Sequence, residues 1–144
     1  MGNEPVNLMM INSKIYRNTQ SYLDKALKKY DLSSGSFRYL FILEKNEGLC
    51  QSRISELIGH DKAMSARTIN RLTELGYVVR IEDQLDSRAY KLYLTDKARL
   101  ILPEIREILN KLTEFITEDL TKEEKEITLS SLVKVLNKTI ELNT

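Results

Sequence analysis

The helical spacing of apolar residues stops at Gly76 and does not resume until Asp96. The interval between them, YVVRIEDQLDSRAYKLYLT, instead alternates apolar and polar residues up to the tip DQLDSR and again on the way out. Two alternating runs joined by a short polar turn form a β-hairpin. Tyr77, Val79 and Ile81 are expected to face one way, with Tyr90, Leu92 and Leu94 on that same face. Everything around this hairpin reads as helix. The chain is therefore mainly α with a two-stranded antiparallel unit set into it, and few folds accommodate that order.

Residues 6–30 read as a first helix, with Leu8, Ile11, Ile15, Tyr22, Ala26 and Tyr30 recurring at helical steps. DLSSGS interrupts, and Ser33 is a plausible cap for a second helix ending near KNEG. Phe37, Leu40, Phe41 and Leu43 give that helix its apolar face. A short third helix, QSRISELIG, turns Ile54, Leu57 and Ile58 inward and stops at Gly59. Asp61 can cap a fourth, KAMSARTINRLTEL, which Gly76 ends. After the hairpin, Thr95 caps a long helix from Asp96 to about Glu118, with Pro103 expected to bend it or delay its start. Its residues Ile101, Ile105, Ile108, Leu112 and Phe115 step 4-3-4-3, a seam for helix packing. TKEE is a capping box for a last helix with Leu129, Leu132, Leu136 and Ile140 on one stripe.

Composition narrows the functional classes. The chain has 144 residues, 42% hydrophobic and 30% charged, a globular profile. No run of 18 apolar residues exists, so no membrane span is expected. MGNEPVNLMMINSK lacks a basic segment followed by an apolar core, so no secretory signal is expected, and the single cysteine, Cys50, fits a reducing compartment. The expected location is cytoplasmic. One histidine, His60, and one cysteine are too few for the usual clustered metal sites, and neither a GxGxxG nor a P-loop sequence is present. No catalytic residue, metal or cofactor is expected. The net charge is only +1, so a nucleic-acid partner would require local positive charge.

The fourth helix supplies such a locality. At 100° per residue Ser65, Thr68, Ile69, Leu72 and Leu75 group on the inward side. The opposite side carries Ala63, Ala66, Arg67 and Asn70, flanked by Lys62 and Arg71, and from Lys62 to Arg71 there are three cations and no carboxylate. Arg and Lys can donate to guanine, Asn can pair with adenine, and alanine methyls let the helix approach base edges closely. The alternative is an ordinary solvated amphipathic helix. A short helix, a tight turn, this helix and a hairpin follow the order of a winged helix-turn-helix. At the hairpin tip Arg88 can enter a minor groove, Asp86 can hold its guanidinium in one fork, and Ser87 can bond phosphate. Read alone, the Asp86–Arg88 pair is equally a surface salt bridge worth about 0–1 kcal/mol.

From Asp31 to about Leu100 the chain resembles the MarR (multiple antibiotic resistance regulator) family of winged-helix transcription factors. The resemblance rests on DLSSGSFRYLFIL, QSRISELIGHDKAMSARTINRLTELGYVVR and the wing DQLDSRAYKLYLT, with Asp86, Arg88, Leu94 and Thr95 its most specific part. It implies residues 1–30 as an N-terminal dimerisation helix, 31–95 as the DNA-binding domain and 96–144 as C-terminal dimerisation helices. It also implies a homodimer on a palindromic double-stranded DNA operator, acting as a repressor. Gln51 and Ser52 match positions that meet phosphate, Arg67 and Asn70 match groove-facing positions, and Asp86 and Arg88 match the wing acid and arginine. Ala98 stands where the family usually has glycine, and Glu82 where a base is common. Many members release DNA on binding a small aromatic or amphipathic effector, and others respond to thiol oxidation. Tyr16, Tyr39 and Phe41 are candidates for an effector crevice and are equally readable as core. Cys50, at a helix cap where threonine is common, reads by default as a small buried residue. The alternative function is a winged-helix module that meets another protein and no DNA.

Overall fold

The structure, a computed structural model, describes residues 5–85 and 90–143. Its elements in order are α1 (Pro5–Ala26), a 3₁₀ turn (Lys28–Tyr30), α2 (Phe37–Lys45), α3 (Gln51–Ile58), α4 (Lys62–Glu74), β1 (Val78–Glu82), β2 (Tyr90–Leu94), α5 (Asp96–Ile116) and α6 (Lys122–Ile140). The mainly α class with one two-stranded antiparallel sheet is as expected. Among the described residues no helix is long and apolar enough to cross a membrane. The chain divides into two compact units, Met1–Ile105 and Arg106–Thr144.

The core belongs to the first unit. Leu27, Tyr39, Leu40, Leu43, Ile54, Ile69, Leu72, Leu92, Leu102 and Ile105 are all but inaccessible to solvent there. Two caps shape the path from α3 into α4. Gly59 ends α3 at φ +82°, in the left-handed region that glycine tolerates, and its N–H donates to the Ser55 carbonyl at 2.8 Å. Asp61 then accepts from the Met64 N–H at 2.7 Å, satisfying a first-turn donor of α4. Between them His60 Nδ1 lies 2.8 Å from the Tyr39 hydroxyl, which also meets Ser65 Oγ at 3.2 Å. The turn and the start of α4 are thus pinned to α2 through a polar relay, buried at Ser65 and part-buried at His60.

The hairpin pairs Val78 with Leu94, Arg80 with Leu92 and Glu82 with Tyr90 on one face, and Val79 with Tyr93 and Ile81 with Lys91 on the other. This corrects the expected parity of the first strand. Val78 is 2% exposed, whereas Val79 and Ile81 are 41% and 51% exposed. Tyr77 is buried, but as part of the exit from α4: its N–H donates to the Leu72 carbonyl and its hydroxyl to the Tyr30 carbonyl at 2.6 Å. Counting the pleat from Tyr77 therefore sets it one residue out of phase. On the other edge of β2, Leu92 and the segment Gly48–Leu49 exchange two backbone hydrogen bonds. Gly48 holds φ +85°, and a Cβ there would come within 3.2 Å of the Tyr93 hydroxyl.

Several helical expectations also change. The first helix gives way to the 3₁₀ turn after Ala26, and Asp31 follows at φ 59°. The second begins at Phe37, because Ser33 and Ser36 first close a turn of their own. Leu57 is exposed and Ile58 half-buried, leaving Ile54 as the fully buried apolar anchor of α3. Pro103 does not delay α5, which starts at Asp96 with the Ala98 N–H on Thr95 Oγ1 at 3.3 Å. Ala98, Leu102 and Ile105 are its buried residues; of the expected seam Ile105 is buried, Ile101, Ile108 and Leu112 are half-buried and Phe115 is exposed.

The second unit contains the end of α5 and all of α6. Thr121 and Glu124 form the expected reciprocal capping box. None of residues 106–142 is buried, and Leu129, Leu132, Leu136 and Ile140 are 44–67% exposed.

Candidate nucleic-acid interface

The inward side of α4 is as expected: Ser65, Ile69 and Leu72 are buried, with Thr68 and Leu75 half-buried. That anchoring leaves Lys62, Ala63, Arg67, Asn70 and Arg71 exposed and Ala66 half-buried along the opposite side. Arg71 lies 3.7 Å from Glu74, one turn further on. Both side chains are exposed, so this pair is worth about 0–1 kcal/mol and does not tie Arg71 down.

Five of the expected residues share one open cleft of about 580 Å³: Gln51 and Ser52 from the start of α3, and Lys62, Ala66 and Asn70 from α4. Ala63, Arg67 and Arg71 lie on the same helix outside its lining. Asp86, Ser87 and Arg88 lie outside the described residues. Among the lining residues that the sequence reading did not assign to DNA are Arg80 and Tyr90, both from the hairpin. The Arg80 guanidinium donates to Asn70 Oδ1, joining wing to helix. The corrected parity puts Arg80 opposite Leu92, on the face that turns toward α4. Correct phasing of the strand from Val78 would have found it.

The rim at α3 is polar and short of acid. Its first turn contains no acidic residue, so its positive dipole end is uncompensated by any carboxylate of its own. Cys50 is exposed, which corrects its reading as a buried residue. Its thiol Sγ is 3.2 Å from Ser52 Oγ, and that hydroxyl, followed by the backbone N–H of Arg53, lowers the thiol pKa below its ordinary value. Ser55 also lines the cleft, and its Oγ is buried and without a hydrogen-bond partner among the described residues.

The effector candidates do not form one described crevice. Tyr39 is fully buried with its hydroxyl between His60 and Ser65, so it is a core residue. Phe41 is half-buried and packs edge-on against Phe37, with ring centroids 5.9 Å apart. Tyr16 is exposed on α1, where its hydroxyl accepts from Gln20 Nε2 at 3.3 Å. Among the described residues no cluster of three or more His, Cys, Asp or Glu side chains could hold a metal ion.

A capped helix–turn–helix on a common core, followed by an antiparallel hairpin packed beside the exposed helix, is a winged helix-turn-helix. Comparison with known proteins gives the family. The MarR family model matches residues 30–89. The HTH-type transcriptional regulator BilQ of Clostridioides difficile (strain CD3) is 34% identical over 118 residues, 82% of this chain and 80% of that one. A MarR transcriptional regulator from Methanosarcina mazei Go1 superposes with a TM-score of 0.84 at 29% identity, covering 94% of this chain and 97% of the other. FabT of Streptococcus pneumoniae, solved in complex with DNA, has the same fold, with a TM-score of 0.81 at 20% identity over 96% and 99% of the two chains. The chain belongs to the MarR family of DNA-binding transcription regulators; it is a regulator, not an enzyme.

Proposed function

We propose that the protein is a homodimeric repressor that binds a palindromic operator, one half-site per protomer, with α4 in the major groove. The observation that carries this reading is the exposed side of α4. Three cations and Asn70 stand there with no carboxylate between Lys62 and Arg71, beside a cleft that Gln51 and Ser52 complete. Lys62, Ser52 and Gln51 fit phosphate contacts, which position, and Arg67 and Asn70 fit base contacts, which specify. Ala63 and Ala66 keep the helix flat against the bases, and Arg71 adds charge at the flank. Arg88 is proposed to enter the minor groove, with Asp86 to hold its guanidinium and Ser87 to bond phosphate.

Residues 1–30 and 96–144 are proposed as dimerisation arms around a DNA-binding domain of 31–95, and the cytoplasm as the place of action. Each arm supports this with an apolar row that is open in the single chain: Leu8, Ile11 and Ile15 on α1, and Leu129, Leu132 and Leu136 on α6. Two-fold pairing would place the half-sites about 10 base pairs apart, centre to centre. A small aromatic or amphipathic effector that releases DNA belongs to this reading by family likeness alone.

The test is footprinting on duplex DNA from just upstream of the protein's own coding region, with Arg67→Ala and Arg88→Ala beside the wild type. Wild-type protein should protect two patches one helical turn apart. Each variant should lose about 1–3 kcal/mol of affinity. Unchanged protection by Arg67→Ala would remove α4 from base recognition.

A further inference from the structure

Asn70 and Arg80 come from different elements, α4 and β1, and their side chains meet at the edge of the cleft. A guanidinium carries five N–H donors and no acceptor. The carboxamide atom facing it is therefore the carbonyl Oδ1, which leaves Nδ2 as the end turned away from β1. The strand anchors the donor: Arg80 pairs across from Leu92, which is 1% exposed, between the buried pair Val78–Leu94 and the pair Glu82–Tyr90. An unrestrained asparagine in a major groove can turn either end to the bases, and reads adenine by using both at once. One held by its oxygen enters the groove as a donor.

We propose that Arg80 is a positioning residue that sets the base preference of Asn70, directing its Nδ2 donors to a base edge of acceptors, guanine N7 and O6, and away from the two-point pair with adenine. The inference rests on the DNA-binding reading above. Arg80 touching only phosphate would strengthen binding to every sequence alike. Arg80 acting through Asn70 changes which sequence is bound.

The experiment lets the full chain select from a pool of randomised duplexes, then measures affinity for guanine and adenine at the position whose preference Asn70→Ala erases. Wild type should favour guanine there by about tenfold, the lower part of the range for one specific base contact. Arg80→Ala should level or reverse that preference, and should change no preference when Asn70 is already alanine. Arg80→Lys keeps the charge without the planar fork, so it should preserve the salt dependence of binding while still weakening the guanine preference. Equal losses from Arg80→Ala on both bases and in both backgrounds would overturn the proposal. So would an Asn70→Ala protein that keeps every preference of the wild type. A wild type that selects no sequence would instead sink the DNA-binding reading, and the proposal with it.

Discussion

Cys50 shows how far one side chain's chemistry depends on its neighbours. Its thiol sits at the start of α3 with Ser52 Oγ 3.2 Å away, and that hydroxyl is the main reason its pKa is lowered. Alkylation by iodoacetamide should therefore reach half its maximal rate at a lower pH than a free thiol, which has a pKa near 8.5. Ser52→Ala should move that midpoint back up, and an unmoved midpoint would discard the hydroxyl as the cause. Tyr30 is shifted the opposite way, from 10.0 to about 12, first because its phenol donates to Glu104 at 2.6 Å. An acid whose folded pKa is raised contributes stability in full below its unfolded value and loses it as pH rises to the folded one. That contribution is thus present below pH 10 and fades toward pH 12, and Tyr30→Phe should lose about 1 kcal/mol at neutral pH and flatten the alkaline fall. Denaturant unfolding across pH 8–12 checks both points. Cys50 was visible in the sequence as a helix cap but not as exposed, since residue type alone favours burial for cysteine.

Among elements, the hairpin and α4 tell different stories about what a sequence discloses. The two sides of α4 were legible because its apolar residues recur at one consistent angle and its ends are marked by Asp61 and Gly76. The hairpin was legible as a hairpin but not in its first strand's parity. Tyr77 and Val78 are both apolar and both buried, one by the exit from α4 and the other by the pleat, so alternation counted from Tyr77 runs out of phase. That single slip hid Arg80. The observed phase makes a direct prediction: Val78→Asp should cost more than about 3 kcal/mol, as a buried unpaired charge, while Val79→Asp should stay within about 1 kcal/mol. Urea unfolding of the two variants decides it, and a larger loss from Val79→Asp than from Val78→Asp would put the strand back in the expected phase.

Across the whole molecule, charge and apolar surface are both distributed unevenly. The net charge of +1 conceals the cationic side of α4. The apolar rows on α1 and α6 were also readable from their spacing, yet a row of that kind says only that a surface is greasy and not what covers it. In the single chain they are open, with Leu8 49%, Ile15 51%, Leu129 67% and Leu136 59% exposed. Patches of this sort mark interaction surfaces. If a second copy covers them, Leu132→Glu together with Leu136→Glu should halve the mass seen by light scattering and weaken DNA binding, since one protomer reaches only one half-site. A double variant that keeps the wild-type mass would detach α6 from assembly. Whether the α4 side and its cleft read DNA sequence is decided by a titration of the intact protein on a selected duplex, at several salt concentrations and against excess random duplex. Binding should survive the competitor, with log K falling linearly and steeply as log salt rises, because phosphate contacts release counterions. Affinity that ignores salt, or that random duplex abolishes, would contradict sequence reading by α4.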